Sequence, residues 1–368
     1  MSTWQELLNG SIRDIEKLKE ILQLTTEESE QMARIAEKYP VCVNPYYLGL
    51  VNMEDRDDPI RKMCIPDIRE FSEGGQKDTS GEADNTVMKG MQHKYKQTAL
   101  ILSTNQCAMY CRHCFRKRMV GLSSEEVASQ LPVMADYVRN HPEINNVLIS
   151  GGDVFLNSSD LIERYLMYFS RIPGLDFIRF GTRVPVVLPQ RIIQDERLLR
   201  LLDIYGEEKQ IIIVTQYNHP RELTPESVKA VRKLKEAGCI VRNQTVLLKG
   251  VNDNAKTIAK LMNQLVSYGV IPYYIFQCRP VEGVQNQFQV PLLEGIELIN
   301  EARKDMNGQS KSVRYVLSHS TGKIEILGKT ENQNVIFKYH QAKYDKDQSR
   351  LFCMEIGEKQ CWLEDIPE

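Results

Sequence analysis

Residues 99–118 read ALILSTNQCAMYCRHCFRKR. Ala99 to Thr104 form an apolar run suited to a buried strand. Cys107, Cys111 and Cys114 follow at once, at C-x3-C-x2-C spacing. So tight a loop suits an iron–sulfur cluster held by three thiolates, with one iron left open to an outside chelator. Structural zinc usually takes four protein ligands in paired cysteines. No second pair exists here, although His113 offers a fourth ligand in principle.

Moving outward, a strand-then-helix rhythm begins at residue 98. Apolar runs lie at 99–104, 146–150, 177–182, 211–216, 240–248 and 272–278. Amphipathic helical patterns fall between or after them, at 125–140, 159–171, 196–205, 225–238, 255–269 and 292–304. Repeated βα alternation implies a parallel sheet, and six units fall short of a closed eight-fold barrel. The expected fold is therefore α/β, a partial (β/α)6 TIM-type barrel, with a doubly wound open sheet as the alternative. The strand ends deliver Ser150-Gly151-Gly152-Asp153, Thr182-Arg183, Gln216 to His219, Asn243-Gln244 and Cys278-Arg279. Functional groups in such folds gather at that rim.

Before the barrel, the first forty residues read as a helical arm, with Thr25 and Glu28 as a capping box. Asn44-Pro45 and Asp57-Asp58-Pro59 read as turns, and 70–90 as a polar loop or linker. Beyond residue 312, VRYVLS, KIEIL, NVIFKY and RLFCME alternate as short strands. The expected division is 1–97 arm and linker, 98–310 barrel, and 311–368 a β-rich appendage.

Of the 368 residues, 42% are hydrophobic and 26% charged, which excludes wholesale disorder. A formal net charge of -2 offers no global attraction for nucleic acid or anionic membrane. No apolar run approaches the roughly eighteen residues that span a bilayer, and the N-terminus has no signal-peptide core. Nine cysteines, an odd number, then point to a reducing cytoplasm. Cys42, Cys64, Cys239, Cys278, Cys353 and Cys361 read as packing residues.

Three cysteines at this spacing after the first strand resemble the radical S-adenosylmethionine (SAM) superfamily. The resemblance implies a [4Fe-4S] cluster on Cys107, Cys111 and Cys114 whose open iron chelates SAM. Ser150, Gly151, Gly152 and Asp153 match the family's SAM-contacting motif; the glycines admit the ligand's close approach and Asp153 accepts from the methionyl ammonium. His113 stands where the family places an adenine contact. Its competing reading is a surface histidine.

Over residues 40–330 the chain resembles more narrowly the lysine 2,3-aminomutase family, through CAMYCRHCFRKR, LISGGD, RVPVVLPQRI, NHPRELT, NQTVLLKGVND and PYYI. That family adds pyridoxal 5′-phosphate (PLP). By resemblance Lys323, in HSTGKIEI, carries PLP, and Lys94 and Tyr95 approach its phosphate, with Thr98 where a second arginine stands in relatives. Arg116 pairs with the substrate carboxylate. Gln244 and Gln216 lie near SAM, Gln216 in place of a histidine; the competing reading of Gln244 is a satisfied core amide.

Departures bear on the substrate. Lysine-specific members hold the substrate ammonium with two aspartates, where Arg279 and Ser318 stand here. Phe276 stands where they have tyrosine. An arginine facing a lysine ammonium repels it, so glutamate or another polar amino acid is favoured over free lysine. Arg279 has a competing reading, an outward side chain paired with Glu282. The resemblance thus implies an isomerase that moves an α-amino group to the β-carbon. Alternatives are lysine 2,3-aminomutase proper, a protein-lysine-acting relative, a PLP-independent radical SAM enzyme and a non-catalytic iron–sulfur sensor. A flavodoxin or ferredoxin as electron donor and a homodimer or higher oligomer are implied likewise. No zinc is expected: Cys353 and Cys361 lack the spacing of the clustered cysteines in the family's C-terminal zinc site, and Asn254 stands where that site takes one more cysteine.

Overall fold

In the computed structural model, residues 2–332 and 334–367 are described. Its strands are β1 (Thr86–Met88), β2 (Met91–Tyr95), β3 (Thr98–Thr104), β4 (Asn146–Gly151), β5 (Phe177–Gly181), β6 (Gln210–Thr215), β7 (Ile240–Leu247), β8 (Ile271–Gln277), β9 (Arg314–His319), β10 (Gly322–Lys329), β11 (Asn334–Ala342) and β12 (Leu351–Glu355). All join one sheet in sequence order. From β3 to β9 every pairing is parallel. β1–β3 and β9–β12 pair antiparallel at either side.

Each apolar run from 99 to 278 is a strand, and the crossings between them are helical. β7 shows why the sheet works as a wall. Its residues alternate between buried and half-buried. Asn243 and Thr245 face inward to the packed side, whereas Gln244 and Val246 face a central cavity. Helices Ser159–Ser170, Glu196–Gly206, Pro225–Glu236 and Ala255–Ser267 begin behind Ser158, Asp195, Thr224 and Asn254, whose side chains accept from first-turn backbone N–H groups.

Several local expectations change. The segment 125–130 is not helical; that helix runs Leu131–Asn140 with Pro132 in its first turn, where a proline's missing N–H costs nothing. Asn44-Pro45 and Asp58-Pro59 are not turns but helix starts, each an N-cap followed by proline. The polar stretch 70–90 is not a loose linker. Glu70, Ser80, Glu82 and Asn85 are buried in it, and β1 lies within it. Its carboxylates are paired: Glu70 with Arg112 and Lys117, Glu82 with Arg116 and Arg118. The Thr25–Glu28 capping box is present in both directions.

The β-rich C-terminal segment does not stand apart. β9 extends the parallel series beside β8, and β10 and β11 follow it in the same sheet. Among the described residues no helix is long and apolar enough to cross a membrane.

Candidate active site

One cavity of about 360 Å³ is lined by residues from ten strands, β2 to β11, which requires the sheet to curl around it. Every candidate site residue named from the sequence borders this space: Cys107, Cys111, Cys114, His113, Arg116, Ser150, Gly151, Gly152, Asp153, Gln216, Gln244, Lys94, Tyr95, Arg279, Ser318 and Lys323.

The cysteine loop forms one end. Burial raises the Cys114 thiol to about 11, with Cys111 beside it adding to the shift, and Cys107 is raised too, by burial and then by Asp153 and its two neighbours. Crowded thiols that resist ionisation alone suit a cationic iron–sulfur core, which compensates the thiolate charge. Among the described residues no three His, Cys, Asp or Glu side chains converge on a single ion; thiols on separate corners of a cluster need no such convergence.

His113 is buried rather than on the surface, and burial depresses its pKa to about 3, keeping the ring neutral. Its Nε2 lies 3.3 Å from Gln216 Oε1 and 3.2 Å from Asn218 Nδ2, while Nδ1 has no partner. An orphaned buried ring nitrogen on a residue that lines the cavity fits a polar ligand such as SAM.

Gly151 and Gly152 close against the chain that leads into the cysteine loop. A Cβ at Gly151, where φ is +114°, would stand 2.4 Å from Thr104 O; one at Gly152 would stand 2.3 Å from Gln106 O. The glycines therefore allow two backbones to meet. Asp153 accepts from Thr182 Oγ1 at 2.5 Å and from the backbone N–H of Arg183 at 2.7 Å and Phe155 at 3.1 Å. Its carboxylate is thus engaged within the protein, tying the ends of β4 and β5 together.

At the other end Lys323 comes in on β10. Its Nζ donates to Gln341 Oε1 at 3.1 Å and lies 5.0 Å from the Tyr95 ring centre and 5.6 Å from that of Tyr274. Burial, then Arg179 and Arg279, lowers its pKa to about 7. Lys94 donates to the carbonyls of His319 at 2.7 Å and Ser80 at 3.2 Å, and is likewise lowered to about 7, first by burial.

Arg279 turns inward. It donates to Ser318 Oγ at 2.6 Å and to Ser80 Oγ, and its guanidinium lies 4.6 Å from the Phe115 ring centre. Glu282, the alternative partner, pairs with Lys38 instead. Gln244 lines the cavity rather than filling a core amide position; its neighbour Asn243 takes the core role, bonding Tyr217 N at 2.6 Å.

Arg116 has a partner that sequence reasoning missed. Glu82 Oε1 accepts from its Nε at 2.9 Å and Nη2 at 2.8 Å, and Glu82 Oε2 accepts from Arg118 at 2.7 Å. The two arginines, working against burial, hold Glu82 at about 2. No spacing signals a pair 34 residues apart. Arg183 was visible as a strand-end residue but carried no role; its guanidinium lies 2.9 Å from Cys111 Sγ.

Comparison with known proteins agrees with this geometry. The radical SAM superfamily pattern matches residues 101–262. A putative L-lysine 2,3-aminomutase of Aquifex aeolicus is 38% identical over 98% of this chain and 96% of its own length. The L-lysine 2,3-aminomutase of Acetoanaerobium sticklandii is 38% identical over 83% of this chain and 73% of its own. The glutamate 2,3-aminomutase of Clostridioides difficile is 36% identical over 83% and 71%.

Proposed function

The chain belongs to the lysine 2,3-aminomutase family of radical SAM enzymes, and on that premise we propose that it moves the α-amino group of an amino acid other than free lysine to the β-carbon. Enzymes of this family are isomerases that use a [4Fe-4S] cluster, SAM and PLP. When bound, the cluster with SAM supplies one-electron hydrogen abstraction, and PLP carries the migrating nitrogen.

Cys107, Cys111 and Cys114 are the cluster ligands in this reading, and His113, Ser150, Gln216 and Gln244 border SAM. Lys323 is the residue that PLP joins, with Lys94 and Tyr95 beside it. Burial keeps its amine close to neutral, the form able to attack a carbonyl. Glu82 grips one edge of the Arg116 guanidinium, and Nη1, which donates to the Gly151 carbonyl at 3.5 Å, keeps a second N–H for a substrate carboxylate.

The substrate reading rests on one observation: among the described residues, the pocket's lining offers no free anion for a lysine ammonium. Its acidic lining residues are Glu82 and Asp153. Glu82 is paired with two arginines, and Asp153 is bonded within the protein. Arg279 and Ser318 bond each other, and Lys94, Arg179 and Lys323 border the same space. An acidic or neutral polar side chain suits this field, and glutamate leads. Lysine- and glutamate-acting relatives match at similar identity, 38% and 36%, so the choice rests on the charges around the pocket.

A low-potential flavodoxin or ferredoxin as donor, pairing of two copies through the N-terminal arm, and a cytoplasmic setting that keeps nine thiols reduced complete the proposal. The test is an anaerobic assay of reconstituted protein against lysine, glutamate, glutamine and aspartate, with chromatographic detection of β-amino isomers. Glutamate or a neutral polar amino acid should turn over and lysine should not. Turnover of lysine alone would overturn the substrate reading.

A further inference from the structure

Arg183 follows Thr182 after β5, and its guanidinium runs beside the cysteine loop. A guanidinium carries five N–H groups in a rigid fork, and the fold engages all three of its nitrogens. Nε donates to the Gln216 carbonyl at 3.1 Å, Nη2 to Glu222 Oε1 at 2.5 Å, and Nη1 to Cys111 Sγ at 2.9 Å. Arg183 is buried and Glu222 completely so.

Glu222 is itself over-determined. Tyr47 donates its hydroxyl at 2.6 Å, and the backbone N–H groups of Asn218 and His219 donate at 2.6 and 3.0 Å. Its charge is therefore offset by three donors besides Arg183: Tyr47 shares Oε1 with Nη2, and the two backbone N–H groups hold Oε2. The ion pair turns its positive end to sulfur. Among the described residues, Cys111 is the one cysteine of the three with a charged side-chain donor within hydrogen-bond distance.

We infer that Arg183 raises the reduction potential of the cluster by donating a charge-assisted hydrogen bond to the sulfur of Cys111, and that Glu222 and Tyr47 hold it in place. The inference rests on reading Cys111 as a cluster ligand. Reduction adds one electron, whose charge spreads onto the ligating sulfurs. A fixed cation at one sulfur stabilises the reduced form more than the oxidised form. Burial strengthens the effect because little solvent screens it.

The experiment is an anaerobic potentiometric titration of the reconstituted protein, followed by electron paramagnetic resonance, without SAM or amino acid. Wild type is compared with Arg183→Met, Arg183→Lys and Glu222→Gln, with iron and sulfide measured in each. Arg183→Met should disfavour reduction about tenfold or more, a negative shift of about 59 mV per tenfold for one electron. Arg183→Lys keeps the charge without the fork and should shift less in the same direction. Glu222→Gln removes the counter-charge and should shift the potential the opposite way.

A purely structural role would lower cluster content and leave the potential of the retained cluster unchanged, which overturns the inference. Should Arg183→Met bind no cluster, the opposed shifts of the other two variants decide; shifts of one sign, or none, overturn it. Wild-type protein that binds no iron would instead remove the cluster reading beneath it.

Discussion

A lysine amine in water stays protonated to about pH 10. Lys323, half-buried among Arg179, Arg279 and two tyrosine rings, does not have water's help in carrying that charge. Its pKa of about 7 means that the neutral, nucleophilic amine is populated above about pH 7 and lost below it. PLP uptake by the cluster-free protein, followed by absorbance, should therefore rise with pH through about 7 and then level. Lys94 titrates in the same range, so the midpoint belongs to the two amines together. Arg279→Gln removes a like charge and should move the midpoint upward; a profile in wild type still rising toward about pH 10 would contradict this account. The cysteines could be named from the sequence because their type and spacing are chemically unusual, whereas Lys323 and Arg279 could be named only through the family resemblance. Glu82 could not. A glutamate in a polar stretch looks solvated until the fold brings Arg116 and Arg118 to it.

Elements were legible where local rules act alone. Thr25 with Glu28 caps its helix as the pattern requires, whereas Asn243 and Gln244, read together at the rim, are separated in β7, Asn243 buried and Gln244 lining the cavity. Elements were misread where one signal has two outcomes. Asp-Pro and Asn-Pro begin a turn or a helix, and the residues after the proline decide between them. The Gly151-Gly152 step shows how an element carries function. Its backbone abuts residues 104–106, at the entry to the cysteine loop, so a side chain there pushes that loop away. Gly152→Ala should cost about 1–3 kcal/mol of stability from overpacking and lower the iron and sulfide bound per chain after reconstitution. Full cluster content with unchanged stability would show that the loop can yield without consequence.

On the scale of the molecule, one sheet carries both ends of the cavity: the cysteines enter after β3 and Lys323 on β10. A chain ended at residue 310 would lose β9 to β12, expose β8 as a bare parallel edge and remove Lys323. Such a truncation should aggregate and bind no PLP; a soluble, monodisperse fragment on size-exclusion chromatography would mark residues up to 310 as an independent domain. The alternating apolar runs and the cysteine spacing by themselves determined the α/β class, the parallel core and the cluster chemistry, because periodicity and ligand spacing act over a few residues. Only the tertiary structure decided that Asp153 is engaged, that Glu82 holds Arg116, that Arg279 faces inward to Ser318 and that Arg183 reaches Cys111. Those contacts join residues 30 to 72 positions apart. Buried charge must find a partner wherever the folded chain supplies one, and no local pattern records which partner that is.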